Sequence, residues 1–454
     1  MISLHQAKKE LTSLADTQVL VVGGGPSGIA AAIASARAGA KTTIIESGSC
    51  FGGNMTQCGV ESGLWFRFPN TAEAGGLLRE VEEAVLKLSN SFYGNMSEML
   101  TTDSELLKVV FDRLLLRANV TPILHCTAVD VVVENYKIKG VVTQSKSGRQ
   151  VVYAQRVIDC TGDADIAAFC GAPFVQSPKE KLMSVSPLFH VAGVNATRFL
   201  NYIKNTLRPT YSDWGDCWNK QLNQSDFALF TPYIKECFQQ AQRDSLLPEL
   251  PDVRFGGSYG SVTADGSVSG LNIVLIGNID CTDVLDLTKA EMSGREYCMM
   301  ALKALRRYMP GFENARIKNF ALKIGARESR RICGQYFLTG SDVLNECRFI
   351  DSIGIVPEFI DGKGLLVLPT SGRYMQIPYK ALVPLNIDNL LVAGRCISGD
   401  EIAHCAFRSI ACCFVTGQGA GVAAAVSVLD GVVAHQVNIK SVQALLEGQN
   451  VKVF

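Results

Sequence analysis

Near the start of the chain, QVLVV (18–22) is a short run rich in β-branched residues and predicts a buried parallel strand. After a glycine-rich break, IAAAIASARAGA is apolar on nearly every face. It predicts a buried helix ended by Gly39. KTTIIE follows as a second strand, so the segment reads as a β-α-β unit of roughly 30 residues. From Asp103, a candidate N-cap, ELLKVVFDRLLLRA has helical spacing. VTPILHCTAVDVVVE, IKGVVTQS and QVVYAQRVID alternate like strands, with turn signals at Asn135, Gly140 and Ser147-Gly148, and predict an antiparallel meander.

From about 176 to 365 the pattern changes. Trp214 and Trp218, GGSYGSVTADGSVSG and PEFIDGKG give this stretch a loop-rich character, which predicts a second, mixed domain. DNLLVAGRC then returns as a buried strand, and an Ala/Gly-rich helix from about 416 to 428 closes the core. The expected organisation is α/β, or α+β taken whole. A discontinuous domain of residues 1–175 and 366–454 carries a substrate or cap domain of residues 176–365.

Composition narrows the function. Lys+Arg and Asp+Glu balance at 43 each, so no net field points to nucleic acid or an anionic membrane. The polar N-terminal segment lacks the apolar core of a signal peptide, and no stretch approaches the roughly 18 uninterrupted apolar residues of a membrane helix. The 15 cysteines are scattered without metal-ligand spacing, which reads as reduced thiols in the cytoplasm with no metal centre. Most read as small buried core residues, although Cys50 and Cys58 flank a candidate cofactor loop.

Chemistry first appears at Gly23-Gly24-Gly25-Pro26-Ser27-Gly28. Gly23 permits a tight turn, Gly25 lets backbone approach a pyrophosphate, and Gly28 lets helix and sheet pack closely. Pro26 and Ser27 open the helix whose N-terminus would face the phosphates. Glu46, about 20 residues on at the end of the second strand, is placed to bind the adenosine ribose. Ser47 follows it, and Gly53-Asn54 would form a second loop near the pyrophosphate. A Rossmann-like dinucleotide site follows from the combination of strand, glycines, helix and acid.

Two further segments, IDCTGDAD and NLLVAGRCISGDEIAHCAFRS, are apolar strands ending in glycine, Gly162 and Gly394. Their polar residues Asp163 and Asp400 either hold cofactor hydroxyls or cap helices. Thr416-Gly417-Gln418-Gly419-Ala420-Gly421 would open the last helix toward a ligand or pack it tightly in the core. The cluster Arg327-Glu328-Ser329-Arg330-Arg331 suits anion recognition or an ion-pair tie between domains. Of five histidines, His404 is the candidate acid–base group, whereas His190 reads as a core histidine.

Together these segments resemble the FAD-dependent oxidoreductases grouped with the flavoprotein subunits of fumarate reductase and heterodisulfide reductase. RESRRICGQYFLTGSD and AHCAFRSIACCFVTGQGAGVAAA carry the likeness, together with IDCTGDADIA, DVLDLTKAEMSGRE, PGFENA and DNLLVAGRCIS. The resemblance covers about 18 to 428. It implies a two-dinucleotide-binding-domain flavoprotein with one non-covalent FAD and a redox reaction on a small molecule. By position it makes Gly23, Gly25, Pro26, Ser27, Gly28, Glu46, Ser47, Gly53, Asn54, Ala128, Gly162, Asp163, Gly394, Asp400, Gly417, Gln418, Gly419 and Ala420 the expected FAD-binding residues. Arg330, His404 and Arg408 fall where active-site groups are expected. Gly419 where the family usually has Ala, and the acidic pair Asp400-Glu401, depart from the pattern, and the acidic pair points to a different substrate.

The expected activity is hydride transfer between a small substrate and flavin, with no fingerprint for a separate NAD(P)H domain and an unidentified external electron donor or acceptor. Flavin monooxygenation of the hydroxybenzoate-hydroxylase type, or a non-catalytic electron-transfer subunit, are the alternatives. Neither nucleic acid nor membrane is expected as a partner, and an oligomer is compatible with the sequence.

Overall fold

The computed structural model describes residues 10–61, 72–88, 103–205, 234–367 and 373–454; Trp214 and Trp218 lie outside them. The chain begins with β1 (Thr12–Val22), α1 (Pro26–Arg37) and β2 (Thr42–Ile45). Strand β1 is longer than its apolar run because the polar residues from Thr12 also pair. Helices α2 (Leu77–Leu88) and α3 (Ser104–Arg117) follow, the second capped by the Asp103 carboxylate on the Glu105 and Leu106 amides.

Next come β3 (Thr121–Ile123), β4 (Thr127–Glu134), β5 (Lys137–Ser145) and β6 (Gly148–Asp159). They make a meander in part only. Strand β3 pairs parallel to β2, and β6 runs antiparallel to β5 but parallel to β1. The resulting seven-stranded sheet has the order β3-β2-β1-β6-β5-β4, with a late strand added beside β6. The central strands β1 and β2 are buried on both faces where they meet. That accounts for the uninterrupted apolar run that ends β1.

After α4 (Asp165–Phe169) and β7 (Phe174–Val175), the chain builds a second body. It contains β8 (Phe189–Ala192), α5 (Ala196–Asn205), α6 (Glu236–Arg243), β9 (Val253–Ser258), β10 (Val268–Ile276), α7 (Val284–Tyr308) and β11 (Arg316–Phe320). Four of these strands form an antiparallel sheet ordered β11-β8-β10-β9. Phe189, Leu271, Ile273 and Leu305 are fully buried in a core of its own.

That core ends at Ile324. Beyond β12 (Arg331–Ile332) and α8 (Gly340–Leu344), the strands β13 (Ser352–Pro357), β14 (Ile360–Gly362), β15 (Leu365–Val367) and β16 (Tyr374–Pro378) return. Leu338, Val343, Ile353 and Val356 pack into the first core. We therefore place the edge of the second domain near 330 rather than at 365.

Strand β17 (Leu390–Val392) completes the large sheet beside β6, and α9 (Glu401–Phe407), α10 (Ile410–Leu429) and α11 (Ile439–Gly448) close the chain. Helix α10 was expected to open near 416, but it opens at Ile410, where the Ser409 hydroxyl accepts from the Cys412 amide. Its glycines stay helical in mid-helix because they meet α1. A Cβ on Gly417 would lie 2.2 Å from the Ser27 carbonyl, and one on Gly421 2.2 Å from that of Ala31. By length and composition α10 is apolar enough to cross a membrane, but Ala411 through Ser427 are all buried inside the fold.

Candidate functional site

The glycine turn lies between β1 and α1. Gly23 has φ +99°, which a side chain rarely adopts, and a Cβ on Gly28 would lie 1.8 Å from the Gly23 carbonyl oxygen. Gly25 differs, because a Cβ there would meet nothing within 4 Å. It N-caps α1 without a side-chain cap, and Pro26 occupies the first turn. The positive end of the helix therefore opens onto free space, as an anionic phosphate group requires.

Glu46 follows β2 and is nearly fully buried. Its Oε2 accepts from the Gly24 amide at 2.7 Å, and its Oε1 accepts from the Gly48 amide at 2.7 Å and Ser47 Oγ at 3.2 Å. Gln57 Nε2 and Lys323 Nζ approach Oε1 at 3.3 and 3.7 Å. The carboxylate thus ties the glycine turn to the loop after β2. Oε2 keeps accepting capacity for a hydroxyl.

Gly53 and Asn54 begin a single 3-10 turn, and a Cβ on Gly53 would lie 2.8 Å from Gly25 Cα. The two glycine loops touch. Burial pushes the neighbouring Cys58 thiol up to about 12, so it stays protonated at neutral pH. Cys50 is buried as well.

Gly162 and Asp163 follow β6, and Gly394 follows β17, so these three residues end adjacent strands. Asp163 Oδ1 accepts from Arg395 Nη2 at 2.8 Å and from the Ser329 hydroxyl at 2.5 Å. A Cβ on Gly394 would meet Ser27 Oγ at 2.7 Å. Gly394 is therefore close to the turn region, and Asp163 is bonded to the residue that follows it, Arg395.

Other expected cofactor residues are placed differently. Ala128 sits on β4, paired with Thr143. Asp400 spends both oxygens on helix ends, accepting from Ala403 N at 2.7 Å in α9 and from Gly340 N at 2.8 Å in α8. Gln418 is buried and accepts from the Leu77 amide at 2.9 Å. Gly417, Gly419 and Ala420 lie inside α10, where Gly419 faces Ile353. The small residues of this motif are packing residues, and the helix end that was expected at them lies at 410.

The arginine cluster divides. Arg330 pairs with Asp165 and lies over the Phe174 ring, 5.7 Å from its centroid. Burial, then Asp159 and Asp163, raise Asp165 to about 6 against the pull of Arg330. Arg331 is buried, bonded to Glu328 at 3.0 Å and to the Gly399 carbonyl. Glu328 is a buried hub that also accepts from the Ser177 hydroxyl, the Met183 amide and Lys363. Burial alone would raise it, but Ser177 and Lys363 hold it below the ordinary glutamate value of 4.5.

Arg408 pairs with Asp361 at 3.1 Å. His404 is 1% exposed, and neither ring nitrogen has a partner among the described residues. Burial, then Arg331, Arg408, Arg395 and Lys363, push its pKa well below 6.5.

A cavity of about 870 Å³ lies where the two bodies meet. Asn54, Arg395 and Arg408 line it from the first body, and Phe255, Asn272 and Arg327 from the second. Cys405 also lines it, whereas His404 and Arg330 do not. Sequence reasoning passed over Arg395 and Lys363. Arg395 directly follows Gly394 at a strand end, a position that could have drawn attention. Lys363 sits in a turn with no such signal.

A family model described as FAD dependent oxidoreductase matches residues 18–446. Among curated proteins, thiamine thiazole synthase of Methanococcus vannielii is 30% identical over 164 residues, which is 34% of this chain and 60% of that protein. The same enzyme of Methanococcus maripaludis (strain C5) is 30% identical over 155 residues, 32% of this chain and 56% of that one. The chain thus spans less than two thirds of the length of the curated relatives it matches. Among solved structures, a geranylgeranyl bacteriochlorophyll reductase-like protein of Thermoplasma acidophilum aligns with 96% of this chain and 82% of its own, with 13% identity and a TM-score of 0.46. A p-nitrophenol 4-monooxygenase of Pseudomonas putida aligns with 96% of this chain and 85% of its own, with 13% identity and a TM-score of 0.42.

Proposed function

The chain belongs to the FAD dependent oxidoreductase family, and from that premise we propose that it passes a hydride between FAD and a small molecule held in the cavity between its two bodies. When bound, FAD supplies the two-electron chemistry. The residues at the glycine turn fit the group. Gly25, Pro26 and Ser27 would face the pyrophosphate at the open end of α1, and Glu46 would accept from the adenosine ribose. Gly53, Asn54 and the Asp163–Arg395 pair would border the rest of the cofactor.

One observation carries the reading. The cavity is lined jointly by Asn54 and Arg395, from segments that converge on the glycine turn, and by β9 and β10 of the second body. A substrate there would contact the cofactor segments and a separate recognition surface at once. Arg408 and Lys363, each ion-paired and both lining the cavity, would orient it. His404 is a weak base in its cationic surroundings and does not line the cavity. It would stand there as a neutral imidazole, packed edge-on against Phe407. Electrons would come from the substrate itself or an external carrier, and the free cysteines fit a reducing compartment such as the cytoplasm.

The test is anaerobic incubation of the FAD-loaded protein with a metabolite library, following bleaching of the flavin absorbance. The expected result is bleaching by a small set of related compounds, lost when Arg408 is replaced by Ala with FAD content unchanged. Bleaching that proceeds equally well in Arg408→Ala would remove Arg408 from the site. Oxygenated product on readmission of oxygen would favour monooxygenation.

A further inference from the structure

Charge is distributed unevenly around the cavity. Lys235, Arg254 and Arg327 line it from the second body, and Lys363, Arg395 and Arg408 from the first, with Lys181 at its edge. Asp361 is the one acidic residue among the described residues that line it. The first-body cations are largely neutralised: Arg395 by Asp163 at 2.8 Å, Lys363 by Glu328 at 3.0 Å and Arg408 by Asp361 at 3.1 Å.

The second-body wall presents two arginines. Arg327 Nη2 donates to two uncharged groups, Ser186 Oγ at 2.7 Å and Asn272 Oδ1 at 3.1 Å, which orient the guanidinium. Arg254, on β9 opposite Leu275, is exposed and has no ion pair among the described residues.

The cavity does not reach the turn where the phosphates of the cofactor would sit. Gly25, Pro26 and Ser27, at the open end of α1, do not line the cavity. A cavity of this size suits a small metabolite, and cationic side chains line it from both bodies.

We propose that the substrate is a small organic polyanion, with two or more carboxylate or phosphate groups, gripped by Arg327 and Arg254 from one body and by Arg408 or Lys363 from the other. The proposal rests on the flavoenzyme reading above and adds the substrate class to it. Planar guanidinium forks match either acid bidentately, and charge-assisted bonds of this kind are the strong ones. Focused positive potential would also speed capture of such an anion.

The test uses the FAD-loaded protein, with FAD content measured first. It is titrated with citrate, with inorganic pyrophosphate and with neutral glycerol, following the visible spectrum of bound FAD and the thermal midpoint. At least one anion should give a saturable change, glycerol none, and the apparent Kd should rise as NaCl is added. Tighter binding of citrate identifies carboxylates, and tighter binding of pyrophosphate identifies phosphates. Arg254→Gln and Arg327→Gln should each weaken binding about tenfold or more, with Lys108→Gln, a half-buried cation on α3 that pairs with Glu105 and does not line the cavity, unchanged. Arg254 is exposed, so its variant remains informative if Arg327→Gln fails to fold. FAD-loaded protein that binds neither anion, or whose variants bind them as tightly as the parent, overturns the polyanion proposal and leaves the flavoenzyme reading standing. Protein that holds no FAD overturns the flavoenzyme reading instead.

Discussion

In the proposed reading, the glycine turn and the cavity wall would solve recognition in opposite ways. At the turn, backbone does the work. Gly23 and Gly28 let chain segments approach, Gly25 leaves open space where a ligand would sit, Glu46 braces the loop, and Gly53 closes against Gly25. At the cavity wall, side chains do it. Arg254 and Arg327 come from the second body, and Lys363 and Arg408 arrive from distant stretches of chain. A backbone site needs specific residue types at fixed local spacing. A side-chain site needs only that the fold bring charges together. The two regions should therefore fail differently when altered.

The largest effect is expected at the turn. Gly28→Ala puts a methyl group 1.8 Å from a backbone oxygen that cannot swing away. It should abolish FAD retention or soluble expression, as read by the flavin absorbance of purified protein. A Gly28→Ala variant that keeps full FAD would show that the turn is not the cradle.

The next effect concerns the buried hub behind the cavity wall. Glu328→Gln leaves Arg331, 4% exposed, without its counter-charge and loosens Lys363. Breaking a buried pair this way costs about 3 kcal/mol or more, which lowers Tm by several degrees. The sign with pH follows from its depressed pKa. The stabilisation by Glu328 is present above the ordinary value of 4.5 and is lost as pH falls through the lower folded-state value. Denaturation of the parent should steepen below that value, and the variant should lack this component. Parallel pH profiles would mean that Glu328 is not ionised in the fold.

A smaller effect is expected at Glu46. Removing its charged acceptor should weaken FAD binding by about one to two decades, since such bonds are worth roughly 1.5–3 kcal/mol. The rate of flavin reduction in fully loaded Glu46→Ala should barely change, because the adenosine end is remote from the reacting ring. A large loss of rate at saturating FAD would place Glu46 elsewhere on the cofactor.

The same contrast explains what could be read from sequence. The β1-α1-β2 unit with its glycine turn and the cap at Asp103 were legible because each depends on neighbours within a few dozen residues. The parallel pairing of β3 with β2 was hidden inside an apparently antiparallel run. The start of α10 was set too late because its Ala/Gly stripe, which packs on α1, looked like a helix opening. The true N-cap, Ser409, carries little signal beside it. At Asp400, cap and ligand readings stood even. The structure uses both of its oxygens as caps, a choice decided by α8 arriving from sixty residues away. The partners of Arg395, Lys363 and Arg327 lie far along the chain, and spacing alone could not pair them.

The most direct test of the account is the amount of FAD released when the purified protein is denatured. The account predicts close to one FAD per chain in the supernatant and a colourless pellet. A protein that is colourless when native, that releases only a nicotinamide dinucleotide, or that keeps its flavin on the pellet would contradict it.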